Sequence, residues 1–361
     1  MLTRARGRVV SVDVVRDDAL EITVDIDGVH QRAISYTALV GPVKAEDEVM
    51  VNTTAVTKGL GTGGYHFVMA NLSGSDQDGE EAGHIVKVRY TPVQHTVLSI
   101  EEEDSPEHGA IEDFQTLDGM PVVIGQLHSQ LAPAAAAIKR MTQHRARVAY
   151  IMTDSAALPI SFSRNVTELR NKGIIDSTIT VGQAFGGEIE AVNIYTGLIA
   201  ARQVAKADAV VVCAGPGNVG TGTTYGYSSI EQGEIVNAVN VLGGSAIAIA
   251  RVSFADPRPR HQGLSHHTIT ALGRVALTKC TLALPMIDQM RLLAIQEQIA
   301  HTPISYKHKV RVFDGTPGII ELQEKGFKLS SMGRGYAEDE EFFLSAAAAG
   351  AAAADLLKVV A

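Results

Sequence analysis

Short apolar runs that alternate with segments of helical period constrain this chain more than any other feature. From residue 84 onward the strand-like runs are HIVKVRY (84–90), TVLSI (96–100), PVVIG (121–125), RVAYIMT (147–153), STITVGQ (177–183), DAVVVCAG (208–215), SAIAIARVS (245–253), VALTKCTLAL (275–284) and KVRVFDG (309–315). Helical patterns fall between most of them, over 129–143, 163–172, 188–206, 230–242, 286–300, 317–325 and 338–358. A strand that is apolar on both faces needs cover on both, and strand–helix alternation joins parallel strands by crossovers. The pattern predicts a Rossmann-like domain over 84–361, a three-layer α/β/α sandwich around a mostly parallel sheet.

Residues 1–72 read differently. GRVVSVDVV, ALEITVDI, HQRAISY, DEVMVNTT and YHFVMAN are five short β-rich runs, and Asp27-Gly28 between the second and third is a strong hairpin signal. Five such strands with glycine-rich turns predict a small β-barrel or half-barrel. The polar, acidic stretch from Ser73 to Gly83 reads as a linker, so the first domain is expected to span 1–83. Within it GLGTGGYHF (59–67) gathers glycines, Thr62 and His66, by default a glycine-rich hairpin and otherwise a lid over the cleft of the second domain.

With 361 residues, 45% of them hydrophobic, the chain can bury a large core. The formal net charge is −9 and no Lys/Arg run occurs, which argues against a nucleic-acid partner. The acidic runs SGSDQDGEE, EEEDSPEHGAIED and AEDEE read as solvated loops. Cys213 and Cys280 sit in apolar runs and are expected to be buried reduced thiols. MLTRARGRVV carries no apolar h-region, and the tail FFLSAAAAGAAAADLLKVVA is interrupted by Asp355 and Lys358. A cytoplasmic protein with a packed terminal helix, and no membrane partner, is the expectation.

In an open parallel sheet ligands bind beyond the carboxyl ends of the strands, where loops converge. Five consecutive strand-end loops here are polar and punctuated by glycine or proline. They carry His128 and Ser129; Thr153, Asp154 and Ser155; Gln183, Gly186, Gly187 and Glu188; GPGNVGTGTTYG; and FADPRPRHQGLSHHT. Ser129 suits a helix N-cap, and without G-x-S-x-G around it a nucleophile role has little support.

GPGNVG (Gly215–Gly220) matches the dinucleotide fingerprint literally, but TGTTYGYSS intervenes before the next helix, and Asp256, the next strand-end acid, lies about twice as far on as the motif requires. No G-K-[ST] follows, so it is not a P-loop. The residue types suit an anion nest formed by Gly215, Gly217, Gly220 and Gly222 with the hydroxyls of Thr221, Thr223 and Thr224, or else a tight buried turn.

DPRPRHQGLSHHT (256–268) is the densest cluster. Two prolines stiffen its start, and Ser265 is positioned to cap a helix that opens with His266 and His267. Arg258, Arg260 and His261 add donors suited to phosphate or carboxylate. A metal held by His261, His266, His267 or His128, completed by Asp154 or Asp256, stays open, although no HExxH or CxxC spacing supports it; so does plain structural hydrogen bonding.

In that order GTGGYHFV, RYTP, GQLHSQLAP, TDSAALP, GQAFGGEIEAV, GPGNVGTGT, RVSFADPRPRHQGLSHHT and SSMGRGY resemble a bacterial family known as a domain of unknown function, number thirty-eight sixty-six. The resemblance runs over essentially the whole chain and assigns no catalytic residue.

Two functions fit the residues. One is a hydrolase or group transferase for a small anionic or phosphorylated substrate, with His266 or His267 as acid–base, Asp154 or Asp256 orienting it, Arg258 or Arg260 holding the anion, and the Gly215–Thr224 loop cradling charge. The other is a metabolite-binding or regulatory protein without turnover. A third role, assembly, rests on the Ala/Gly-rich terminal helix, whose small residues suit close packing against a second copy or against its own sheet. Cofactor and substrate stay open.

Overall fold

The computed structural model describes residues 1–61, 63–74 and 83–360. Thr62 and most of the expected linker (75–82) lie outside the described residues. The chain forms two compact units, Met1–Ala82 with Val88–Thr96, and Gly83–Lys87 with Val97–Ala361.

The first unit is a closed barrel of β1 (Arg4–Arg16), β2 (Ala19–Ile26), β3 (Val29–Tyr36), β4 (Glu48–Asn52) and β5 (His66–Asn71), paired in the order β1-β2-β3-β5-β4. Closure comes from β4, which runs antiparallel to both β1 and β5. Asp27 and Gly28 both take left-handed φ, 54° and 82°, the two-residue turn that matches the twist of paired strands. Val9, Val24, Val49 and Val51 fill the interior. His66 opens β5 and its Nε2 meets Gln31 Oε1 at 2.8 Å.

The main sheet of the second unit has eight strands: β6 (Pro121–Ile124), β7 (Val148–Thr153), β8 (Ser177–Val181), β9 (Ile189–Ala191), β10 (Ala209–Ala214), β11 (Ser245–Ile249), β12 (Thr281–Pro285) and β13 (Lys309–Phe313). Their order is β9-β8-β7-β10-β6-β11-β12-β13, and every pair is parallel. Successive residues face opposite layers: Val123 and Val211 join one apolar cluster, while Val122, Ile124, Val210 and Val212 join the other. The first layer is built by α1 (Leu131–Met141), α2 (Arg164–Asn171), α7 (Thr316–Glu324) and α8 (Glu340–Val360), the second by α3 (Ile194–Gln203), α4 (Glu231–Val241) and α6 (Gln289–Ala300); a short helix, α5 (His266–Thr270), lies between α4 and α6. The chain leaves β6 toward β7 on one side and β10 toward β11 on the other, so the topological switch point lies between β6 and β10.

The Ala/Gly stripe of the terminal helix is used inside the chain. Ala346–Ala349 and Ala351–Ala354 are buried, and Gly350 lies so close to Ala134 of α1 that a Cβ there would meet its carbonyl oxygen. No helix among the described residues is long and apolar enough to cross a membrane. Both cysteines are free and buried.

Three expectations need correction. The 84–90 and 96–100 runs contribute no strand to the eight-stranded sheet, having only the short strands Ile85–Lys87 and His95–Val97. The 188–206 segment is not one helix: Ile189–Ala191 pairs with β8, and α3 begins only after Asn193, whose side chain accepts from the Tyr195 and Thr196 amides. The acidic runs are not wholly solvated. Glu102 is buried, accepting from the Ser99 and His84 amides at 2.6 and 2.8 Å, and Asp339 and Glu341 are buried against arginines.

Candidate functional site

Beyond β11 the chain passes through Arg251 and then forms a small antiparallel ribbon, Val252–Ser253 with Gly263–Leu264. The ribbon closes the 254–262 loop on itself. Asp256 anchors that loop: its carboxylate takes Arg258 Nε and Nη2 at 2.8 and 2.6 Å, with the Arg258 amide at 3.0 Å. Ser265 caps α5, accepting from the His267 amide at 3.2 Å. The same hydroxyl meets Nδ1 of His261 at 2.7 Å.

His261, His266 and His267 converge, with ring centroids 4.4 to 5.1 Å apart. His267 stacks flat on Tyr227, centroids 3.8 Å apart and planes 4° from parallel. Its Nδ1 lies 3.0 Å from Arg251 Nη1. A guanidinium only donates, so Nδ1 accepts and the hydrogen of the neutral ring sits on Nε2. Nε2 of His266 is shielded from solvent and has no hydrogen-bond partner among the described residues. Burial first, and neighbouring guanidinium charge second, lower the pKa of all three rings, that of His261 to about 3.

The surrounding charge is lopsided. Arg251 and Arg334 approach Asp256 at 3.9 and 3.8 Å, Arg334 also pairs with Asp339 at 2.9 Å, and Arg260 and Arg258 complete the set. Four guanidiniums thus face two carboxylates, a surplus of two positive charges around three neutral imidazoles. Arg251 is itself buried, and burial with the adjacent Arg258 charge lowers its pKa to about 10.

The glycine loop lies against this cluster. A Cβ built on Gly220 falls 3.6 Å from His267 Cε1, and one on Gly222 3.7 Å from Arg260 Cζ; the φ of +79° at Gly222 favours glycine. At its other end Gly217 approaches Ala156, and Gly215 approaches Met152. The Thr221 and Thr223 hydroxyls, 3.0 Å apart, are committed to closing the loop on Gly226.

The other residues singled out in the sequence have partners of their own. Asp154 accepts from the Gln183 amide at 2.9 Å. Glu188 pairs with Arg170 and accepts from the Thr178 amide. Ser129 does not cap a helix; its hydroxyl meets Ser331 at 2.9 Å. His128 lies between Tyr150 (3.2 Å) and Ser163 (2.6 Å), and burial lowers its pKa to about 4. Asp256 is hydrogen-bonded to Arg258, which pulls its pKa well below the usual carboxylate range, and its charge also acts on His261.

Several site residues escaped the sequence reading: Arg251 inside a strand-like run, Tyr227 and Glu231 at an ordinary helix start, and Met332, Arg334 and Asp339 near the C-terminus. Met332 Sδ reaches both Arg251 (3.7 Å) and Arg258 (3.8 Å), so the Ser330–Gly335 hairpin braces the cluster. The one available signal was the motif SSMGRGY.

A metal has a geometric case, since the three histidines offer nitrogens within 4.8 Å of one another. Two features oppose it. Nε2 of His267 carries a hydrogen, and the arginine surplus that disfavours imidazolium also disfavours a divalent cation.

The family described as "Protein of unknown function (DUF3866)" matches residues 32–350. The chain belongs to this family. The match takes in every residue of the cluster, from the glycine loop to Asp339, and the family's description names no reaction. A search of the curated proteins finds no match for this DUF3866 member.

Proposed function

We propose that this chain binds a small dianion, a phosphate ester in particular, at the carboxyl ends of the parallel strands, between the Gly215–Gly226 loop and the cluster of His261, His266, His267 and Arg260. The carrying observation is the Arg251–His267 hydrogen bond, which makes His267 a donor at Nε2 inside a surplus of two positive charges. A dianion neutralises that surplus, and the imidazole, guanidinium and backbone N–H groups supply hydrogens where it lacks them. Arg258 serves mainly to hold Asp256. The enzyme reading, hydrolase or group transferase, requires an acid–base group beside the cradle; the metabolite-binding reading requires only the cradle. With it we propose a Rossmann-like α/β domain over 84–361, a barrel domain over 1–83, and a cytoplasmic protein that forms a homodimer and has no nucleic-acid partner.

Calorimetric titration with sulfate and with inorganic phosphate tests it. One site per chain is expected, weakened on the order of tenfold in Arg260→Gln, the loss of one charge-assisted hydrogen bond. Absence of binding at millimolar anion overturns the proposal. The metal reading is favoured by the nitrogen spacing; native mass spectrometry that finds one tightly held metal in the wild type, lost in the His266→Ala/His267→Ala variant, would replace the anion with it.

A further inference from the structure

Glu231 stands close along the chain to the same cluster. It opens α4 and its Oε1 accepts from Thr153 Oγ1 at 2.7 Å, at the carboxyl end of β7. Two routes connect it to the anion cradle, one along the chain and one through contacts. Tyr227, which stacks on His267, is joined to Glu231 through the tight turn Ser228–Ile230; four residues at a rise of ~2 Å each give ~8 Å. The glycine loop gives the other: Gly217 lies against Ala156, beside the 153–155 segment that holds Glu231, and Gly220 lies against His267, so three residues of chain span at most ~10 Å. Glu231 as a residue is partly buried.

Resting on the proposed anion site, we infer that Glu231 is its proton-carrying group, and that the ligand is a phosphate ester of sugar size whose phosphate lies at His267 and Arg260 while an oxygen of its carbon skeleton meets the Glu231 carboxyl. The acid form donates a hydrogen to that oxygen, and the carboxylate takes it back. The environment suits this. Burial raises the pKa of Glu231; hydrogen bonds from Thr153 and Ser155 oppose the shift, and the negative charges of Asp154 and Glu234 add to it. Tyr150 and Cys213, also in its field, are held protonated by burial. A group that keeps its proton closer to neutrality than an ordinary glutamate, within ~8–10 Å of backbone from a dianion cradle, has the placement of an acid–base residue.

The test compares inorganic phosphate with ribose 5-phosphate by calorimetry, in wild type and Glu231→Gln, and follows the Glu231 carboxyl stretch by infrared difference spectroscopy. The expected result is ribose 5-phosphate binding at least tenfold tighter than phosphate in the wild type, with that advantage lost in Glu231→Gln and phosphate affinity unchanged within twofold. The carboxyl band should shift with ribose 5-phosphate and not with phosphate. Retained phosphate binding in the variant reports an intact fold. Equal ribose 5-phosphate affinity in the two proteins, or an unmoved band, overturns the role of Glu231 and leaves the anion site standing. Failure of the wild type to bind phosphate overturns both.

Discussion

The Ser253 hydroxyl reaches both carboxylate oxygens of Asp339, at 2.8 and 3.0 Å, across 86 residues of sequence. This contact ties the chain just beyond β11 to the start of α8, and Arg334 completes it from the hairpin, its Nε 2.9 Å from Asp339. Asp339 is 1% exposed, so its charge depends on these partners. Removing one partner of a buried pair leaves the other uncompensated, at a cost of ~3–5 kcal/mol. Asp339→Ala is expected to lose about that much in urea unfolding, and Arg334→Ala less, because the Arg334 side chain keeps 20% exposure and can recover water. Equal, small losses for both would show that the tie does not hold the cluster.

Arg251 sets the tautomer of His267. With Nδ1 accepting, the nitrogen-15 shifts of His267 should report a protonated Nε2 at pH 7 in labelled protein. In Arg251→Met the preference is expected to relax, and sulfate affinity to fall by ~10–100-fold, since a donor orientation and a buried charge are lost together. A His267 spectrum with hydrogen on Nδ1 in the wild type would remove the basis for preferring an anion to a metal.

The layers were legible in the sequence because apolar runs such as DAVVVCAG and SAIAIARVS are buried on both faces and cannot be anything but central strands. The clustering of His261, His266 and His267 was legible because one short segment carries all three. The rest of the site was not, and the reason is sequence distance. Arg251 lies inside a run that reads as strand, and only Asp256, Met332 and His267 around it reveal its office. Asp339 sits in AEDEE, where local composition says solvent, yet Ser253 and Arg334 bury it. Glu231 looks like an ordinary first-turn acid until Thr153 is placed beside it. Local pattern reports burial and period; it is blind to which distant partner makes a polar group affordable inside.

Acid should destabilise the protein well before its carboxylates protonate. His128 and His261 have pKa values near 4 and 3 when folded against 6.5 as the ordinary value, and His267 is lowered as well. The unfolded chain therefore binds protons that the folded one refuses. The stabilisation is complete above about pH 6.5 and is lost as pH falls toward 4, with each such histidine contributing up to ~1.4 kcal/mol per pH unit. Urea midpoints in chloride buffers should fall steadily from pH 7 through 6 to 5. Sulfate should offset part of the fall, because a bound dianion favours imidazolium. A flat profile between pH 7 and 5 would mean that these rings take up protons in the folded protein as they do in the unfolded chain.

Two glycines separate the stability of the fold from the integrity of the site. A Cβ at Gly350 would meet the Ala134 carbonyl on α1, and neither backbone can yield without moving the layer. Gly350→Ala is expected to cost ~1–3 kcal/mol as overpacking, with anion binding unchanged below the unfolding transition. A Cβ at Gly226 would instead meet the Thr221 and Thr223 hydroxyls, the ends of side chains that can rotate away. They would give up the bonds that close the loop, Thr221 Oγ1 to the Gly226 carbonyl at 2.9 Å and the Gly226 amide to Thr223 Oγ1 at 3.1 Å. Gly226→Ala should then change stability by under ~1 kcal/mol while weakening sulfate binding about tenfold, because Gly220 and Gly222 lose their register against His267 and Arg260. If Gly226→Ala binds sulfate as the wild type does, the loop is a structural turn and the anion rests on the histidines and arginines alone.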